Sequence, residues 1–207
     1  LGVLWGEAAP AWLLFPINKS IWTSSFVLLT AGLGAALFGL TYWIVGSLHG
    51  LLGDFAPALE ATARAQAIGA AIDDLHVQSY AASATGWIEA MRGDGTAGIA
   101  ASHQSLEWAL DPVNVTLAKG TLGYAYLEQG EATQAIPLLE QSAQQWGYFG
   151  LRAMQGWMTT YLAQAYCVTG RLVAAQDLAH QGLTIASHAR CLFAVGCAQR
   201  ALGRIAQ

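Results

Sequence analysis

A run of 34 residues without a formal charge constrains this chain most strongly, because the character of the chain changes where the run ends. The run covers residues 20–53 and lies between Lys19 and Asp54. Within it, residues 21–45 exceed the roughly 20 apolar residues that a helix needs to cross a bilayer. The chain after Gly46 carries ordinary surface charges. We therefore expect one transmembrane helix over residues 21–45, followed by a domain that lies in water.

The sequence around this run has features of a membrane interface. Residues 1–16 are apolar but contain Glu7 and Pro10, so they are too short and too broken to cross a bilayer alone. We interpret them as a partial helix or a re-entrant segment. Aromatic residues flank the run on both sides, as Trp and Tyr do at membrane interfaces: Trp5, Trp12, Phe15 and Trp22 before it, Tyr42 and Trp43 near its end.

Small residues four positions apart recur within the predicted span. They form two pairs, Gly32 with Ala36 and Ala35 with Gly39. Such spacing lets a second helix approach closely in lipid, where dispersion packing drives association. We therefore predict that this stripe packs a partner helix. The alternative is that Gly and Ala are simply common in membrane helices.

The start of the span also carries a family resemblance. Residues 15–30 read FPINKSIWTSSFVLLT. This resembles a late transmembrane segment of membrane acyltransferases similar to heparan-α-glucosaminide N-acetyltransferase, at Pro16, Asn18, Lys19, Trp22, Thr23 and Ser25. The resemblance implies a polytopic enzyme that transfers an acetyl group from acetyl-CoA to an amino sugar. It includes no position that can be identified as catalytic, and the nearest histidine, His49, lies outside it.

From Gly46 onward the sequence repeats itself. Small residues lead each unit and stand 40, 37 and 40 positions apart, at Gly46, Gly86, Gly123 and Ala163. A glycine follows each after seven residues, at Gly53, Gly93, Gly130 and Gly170, and a small residue five later, at Ala58, Gly98, Ala135 and Ala175. The spacing predicts antiparallel helix pairs, with the glycine as a left-handed C-cap and the two small residues where the helices touch. No β-strand is expected.

These units resemble the tetratricopeptide repeat (TPR). The matching patterns are Leu122-Gly123-x-x-Tyr126 with Ala135 and Leu162-Ala163-x-x-Tyr166 with Ala175, whereas His49 and Glu89 depart from it at the tyrosine position. The long period is similar to that of arrays found beside bacterial cyclase, ATPase and transcription-regulator modules. The resemblance implies an α-solenoid of about four TPR-like repeats and a terminal helix over residues 46–207. With the transmembrane helix before it, we expect an all-α chain. An unrelated α-solenoid of similar period is the alternative.

In a TPR superhelix the first helix of each pair lines the concave face. The resemblance therefore assigns nine residues to a protein-binding groove: Tyr80, Ser83, Trp87, Met91, Tyr124, Glu128, Trp157, Thr160 and Gln164. Exposed aromatic rings are effective anchors for a bound peptide. The alternative is that Trp87, Tyr124 and Trp157 pack between neighbouring helices.

Several functional classes lack the residues they need. The net charge is −4 and no basic stripe is present, which argues against a nucleic-acid partner. The three cysteines and five histidines show no metal-binding spacing, and no nucleophile or phosphate-loop motif occurs. We therefore predict no catalytic residue, cofactor or metal.

Two functional hypotheses follow from these features. The first is a membrane-anchored protein-interaction scaffold, or an accessory subunit of a membrane complex, whose contacts are the bilayer and another membrane protein. This hypothesis places the protein in a bacterial inner membrane with the repeats in the cytoplasm. The second is a fragment of a membrane acyltransferase joined to a regulatory repeat array. Either the membrane helix continues directly into the first repeat, or two unrelated sequences have been joined.

Overall fold

The computed structural model describes residues 24–206, and their side chains from residue 29 onward. Over this range the chain forms α-helices and no strand, which confirms the all-α prediction for the described residues. The helices are α1 (Ser24–Leu52), α2 (Phe55–Ala71), α3 (Leu75–Arg92), α4 (Gly95–Trp108), α5 (Pro112–Glu128), α6 (Ala132–Tyr148), α7 (Arg152–Val168), α8 (Leu172–His188) and α9 (Leu192–Ile205).

Consecutive helices pack side by side, and α3, α5, α7 and α9 also contact the first helix of a neighbouring pair. The pairs are therefore α1–α2, α3–α4, α5–α6 and α7–α8, and α9 is the first helix of a fifth unit. The result is an α-solenoid, in which each repeat contacts mainly its neighbours.

The turn inside each pair depends on glycine. Gly53, Gly93, Gly130 and Gly170 all have positive φ, between 76° and 96°, where a side chain would be strained. At Gly93 the backbone N–H of Asp94 donates to the carbonyl of Glu89 at 2.9 Å, which closes a Schellman-type cap. The predicted turn positions are therefore confirmed at all four glycines.

The short second repeat has a local cause. Helix α4 has 14 residues, whereas α2, α6 and α8 have 17. It ends before Asp111, whose carboxylate accepts hydrogen bonds from the N–H groups of Val113 and Asn114 at 2.7 and 3.0 Å. Pro112 occupies the first turn of α5, where its missing N–H costs nothing. The 37-residue spacing therefore reflects a shorter second helix and an early N-cap.

Small residues let the two helices of a pair approach closely, as predicted. A Cβ atom on Gly46 would lie 3.0 Å from the carbonyl oxygen of Ala58. One on Gly86 would lie 2.9 Å from the carbonyl oxygen of Gly98. Because these contacts involve backbone atoms, a side chain at either glycine would push the helices apart.

Helix α1 is continuous from Ser24 to Leu52, so no break marks the boundary predicted between residues 45 and 46. The first repeat also extends further back than its sequence pattern. A Cβ on Gly39 would lie 2.6 Å from Val77 of α3, and one on Gly50 would lie 2.9 Å from Ile88. The prediction that Gly39 packs a separate membrane helix is wrong, because the seven-residue step from Gly46 places it on the face that packs the array.

The rest of that predicted stripe lies before the packed part of α1. No atom lies within 4 Å of the position that a Cβ on Gly32 would take, and Ala35 and Ala36 are half-buried. Their role in packing a membrane partner stays a prediction. The flanking segment with Trp5, Trp12, Phe15 and Trp22, like the partial helix over residues 1–16, lies outside the described residues.

Candidate functional site on the concave face

Aromatic side chains from four first helices meet at the centre of the concave face. The ring centroids of Trp87 and Trp157 are 5.2 Å apart, and those of Trp157 and Phe193 are 5.0 Å apart, both in edge-to-face geometry. Tyr124 stacks on Tyr161 at 4.2 Å. The Trp87 indole N–H donates to the Tyr161 hydroxyl at 3.2 Å. We call these five residues the aromatic cluster; they join α3, α5, α7 and α9 across the inside of the superhelix.

This cluster changes the interpretation of the predicted groove. The sequence predicts that Trp87 and Tyr124 are exposed anchors, but each is only 5% exposed. The prediction of exposure is wrong for both rings, because the superhelix is tight enough to bring Phe193 of α9 within 5.9 Å of Trp87. Their arrangement agrees with the alternative that these rings pack between helices. Trp157 is half-buried and retains some access to the concave face.

Three other predicted groove residues have partners of their own, whereas the side-chain nitrogen of a fourth, Gln164, is buried without a hydrogen-bond partner among the described residues. Tyr80 packs against Trp43 of α1, with ring centroids 5.1 Å apart. The Ser83 and Ser105 hydroxyls lie 2.6 Å apart and join α3 to α4. Thr160 is fully buried and faces α8, since a Cβ on Gly182 would meet its hydroxyl at 2.7 Å. The assignment of Thr160 to the groove is therefore wrong, because the small residue Gly182 lets α8 pack directly against it. Gln164 is buried and lines a small cavity beside Glu128.

A first cavity opens between α1, α3, α5 and α7. Its volume is about 150 Å³, and its wall includes three tryptophans, Trp43, Trp87 and Trp157, together with Leu51 and Leu117. The remaining lining residues are small, and none carries a charge. Three predicted groove residues line this cavity: Ser83, Trp87 and Trp157. A space of this size and composition suits one apolar side chain.

A second cavity lies on the other side of the aromatic cluster, towards α9. Its volume is about 400 Å³. Met91, Tyr124 and Glu128, all predicted groove residues, line one side of it, and Tyr161, Leu192, Phe193, Gly196, Cys197, Arg200 and Arg204 complete the wall. Arg200 and Arg204 are exposed and form no ion pair with a described acidic residue. This cavity therefore combines an apolar floor with two guanidinium groups, and that of Arg200 also donates to the Cys197 sulfur at 3.9 Å.

The α9 residues of this cavity were missed by the sequence analysis. The groove residues assigned from the repeat end at Gln164, so none was placed on α9. One signal was present: Arg204 stands 40 positions after Gln164, which occupies a predicted groove position. The repeat period therefore would have placed Arg204 on the concave face.

The hydroxyl and thiol groups of the second cavity stay protonated. Burial raises the pKa of Tyr124 and that of Tyr161. Burial likewise raises the pKa of the Cys197 thiol, which disfavours the reactive thiolate. Among the described residues no group of three or more His, Cys, Asp or Glu side chains could hold a metal ion.

The aromatic residues near the end of the predicted span have partners in the array. Trp43 contacts Tyr80, as described above, and the Arg64 guanidinium lies 5.7 Å from the centroid of the Tyr42 ring. Arg64 also forms an ion pair with Glu60 at 2.5 Å. Both rings therefore have contacts within the repeat array, and their place at a membrane interface stays a prediction.

Helix α1 contains a segment long and apolar enough to cross a membrane, Leu29–Leu52. From Gly39 onward, however, this segment lies against α2 and α3. A bilayer around residues 39–52 would also surround the neighbouring pair Glu60 and Arg64, and charged side chains are costly in hydrocarbon.

Comparisons with known proteins define the fold. No protein-family model matches the chain, and no curated protein matches it. A crystal structure from Podosopora anserina, described as a kinesin light chain with nearly identical TPR-like repeats, is similar with a TM-score of 0.59 and 19% identity. The similarity covers 83% of this chain and 85% of that one. The chain therefore has a TPR-like α-solenoid fold. The acyltransferase resemblance gains no support from these comparisons, and most of its residues lie outside the described part of the chain.

Proposed function

We propose that this chain is a membrane-anchored protein-interaction scaffold. The start of α1 is the anchor, and the concave face of the repeat array binds an extended segment of a partner protein. The observation that carries the proposal is the second cavity, which presents an apolar floor and two arginines without ion-pair partners among the described residues. TPR-like solenoids use such extended concave surfaces for binding.

The anchor is shorter than the sequence pattern alone implies. Residues 21–38 number 18, a length within the range that spans a bilayer. Ending the span before Gly39 keeps Glu60 and Arg64 in water. The exposed side chains of Leu33, Leu37 and Phe38 are then covered by lipid. In this arrangement one helix supplies both the anchor and the first helix of the array.

The chemistry of the second cavity specifies the bound segment. Met91, Leu192 and Phe193 offer apolar contact, and Arg200 and Arg204 offer charge-assisted hydrogen bonds to a carboxylate. Glu128 on the opposite wall repels a carboxylate and favours its placement at the arginines. The ligand is therefore a peptide with a large apolar side chain next to an acidic residue. We place this peptide in a neighbouring membrane protein, on the cytoplasmic side where the repeats lie.

A peptide selection tests this specificity. A displayed library of random nine-residue peptides is selected against the full chain in detergent, and binding of the enriched peptides is measured by fluorescence anisotropy. We expect enrichment of an acidic residue beside a large apolar one. The double variant Arg200→Glu with Arg204→Glu should weaken binding at least tenfold, since a hydrogen bond to a charged group contributes about 1.5–3 kcal/mol.

The matched control is Arg152→Glu, which changes an exposed arginine in the first turn of α7 away from both cavities. Circular dichroism confirms that all variants stay helical. Enriched peptides that bind the double variant and the control equally well would contradict the proposed site. A library without acidic enrichment would contradict the proposed ligand class.

A further inference from the structure

The hydroxyl groups in the wall of the first cavity are already bonded within the protein. The Ser47 hydroxyl donates to the carbonyl of Trp43 at 2.9 Å, and the Thr121 hydroxyl donates to the carbonyl of Ala118 at 3.1 Å. The Ser83 hydroxyl is bonded to a serine hydroxyl of α4 at 2.6 Å. No charged residue lines the wall. A polar or charged ligand would therefore lose its hydrogen bonds to water and gain few in return.

The tryptophan rings of this wall are held in place by the rest of the array. Trp87 is fixed by its N–H bond to Tyr161 and by its edge-to-face contact with Trp157. Trp43 is fixed by its contact with Tyr80 of α3. The cavity is therefore formed before a ligand arrives, and binding requires little reorganisation of the protein.

The volume of the first cavity sets the size of its ligand. At about 150 Å³ it matches the apolar cavities that take up benzene or xenon. Its wall residues Ser47 and Leu51 are partly exposed, so the cavity can be reached from solvent. The space therefore accommodates one aromatic ring or a short branched hydrocarbon.

We propose that the first cavity binds a small uncharged molecule about the size of one aromatic ring. Contact with three indole rings and two leucines provides the affinity, and the bonded hydroxyl groups select against polar ligands. The first and second cavities share no lining residue. The inference therefore does not depend on the peptide proposed for the second cavity.

Tryptophan fluorescence of the full chain tests this site, because three of its eight tryptophans line the cavity. Benzene is the probe, and benzoate, which has the same ring with a negative charge, is the matched comparison. We expect benzene to change the emission saturably and benzoate to leave it unchanged, since burying an unpaired carboxylate is costly. All titrations use one detergent concentration, so that the uptake of benzene by detergent is the same in each.

Two variants that fill the cavity connect the fluorescence change to this site. Ser47→Leu should abolish the saturable change, because its larger side chain occupies the space. The Ser47 hydroxyl bonds only within α1, so no contact between helices is lost. Ala84→Leu fills the same space from α3 and is the second, independent variant. The control is Ser187→Leu, at an exposed position of α8 that does not line the cavity.

Each outcome supports or overturns the proposal. The absence of a saturable change in the original chain, or equal changes in the filled variants and in Ser187→Leu, would overturn the site. A benzoate effect as large as that of benzene would overturn the ligand class. Displacement of benzene by the peptides enriched in the selection would show that a peptide side chain fills the cavity, and would overturn its assignment to a small molecule.

The same titration separates this proposal from that for the second cavity. The double variant Arg200→Glu with Arg204→Glu should lose peptide binding but respond to benzene as the original chain does, because neither arginine lines the first cavity. A benzene response that disappears in this variant while circular dichroism shows intact helices would contradict a separate site. Failure of the peptide selection alone leaves the expected benzene response unchanged.

Discussion

Replacement of Trp87 by alanine is expected to lower the free energy of unfolding by about 3–5 kcal/mol, the range for truncating a buried tryptophan. The ring is 5% exposed and contacts Trp157 and Phe193, and its N–H bonds to Tyr161. The variant removes contacts that α3 makes with α7 and α9 at once. Urea unfolding followed by circular dichroism measures the loss.

Tyr148→Ala is the control for this prediction. Tyr148 is also aromatic but is 83% exposed at the end of α6, so its loss should change stability by no more than about 0.5 kcal/mol. If Trp87→Ala costs as little as Tyr148→Ala, the aromatic cluster is not part of the core. In that case the exposed-anchor interpretation of Trp87 would be restored.

A second large loss is expected for Gly156→Val. A Cβ at Gly156 would lie 3.0 Å from the backbone nitrogen of Ala186, and backbone atoms cannot move aside as a flexible side chain can. Separating α7 from α8 should cost about 1–3 kcal/mol, as overpacking usually does. The same unfolding measurement applies.

The chain offers a matched control 40 positions later. Gly196 occupies the equivalent position in α9, and no atom lies within 4 Å of its Cβ position. Gly196→Val should therefore leave stability within about 0.5 kcal/mol of the original chain. Equal losses in the two variants would show that the cost comes from valine in a helix and would contradict the close approach of α7 and α8.

Local rules made the repeat predictable from sequence. Each turn glycine caps the first helix of its own pair, and the small residue five positions later lies where the two helices of that pair touch. Both roles can therefore be recognised from the sequence of a single repeat. The period then places α3, α5 and α7 on one face. These are properties that spacing along the chain determines directly.

The exposure of the groove could not be predicted in the same way. Whether Trp87 is an exposed anchor or a core residue depends on how tightly the superhelix winds, which brings Phe193 near it from more than 100 positions away. The extent of the anchor was ambiguous for a related reason. An apolar helix face has the same sequence pattern whether lipid or another helix covers it. The contact of Gly39 with α3 shows that a helix covers this part of α1.

Labelling two positions of α1 tests most directly whether one helix serves as both anchor and first repeat helix. The three native cysteines are first replaced, Cys167 and Cys191 by serine and Cys197 by alanine. In this cysteine-free chain, Leu33→Cys and Leu52→Cys are treated with a membrane-impermeant maleimide in intact membranes and again after detergent is added. We expect Cys at position 33 to be labelled only in detergent, because it lies in lipid. Cys at position 52 should be labelled in open membrane sheets without detergent, because it lies in water beside the array. Protection of both positions would place the whole of α1 in the bilayer, and free labelling of both would show that α1 is no anchor; either result would contradict the proposed arrangement.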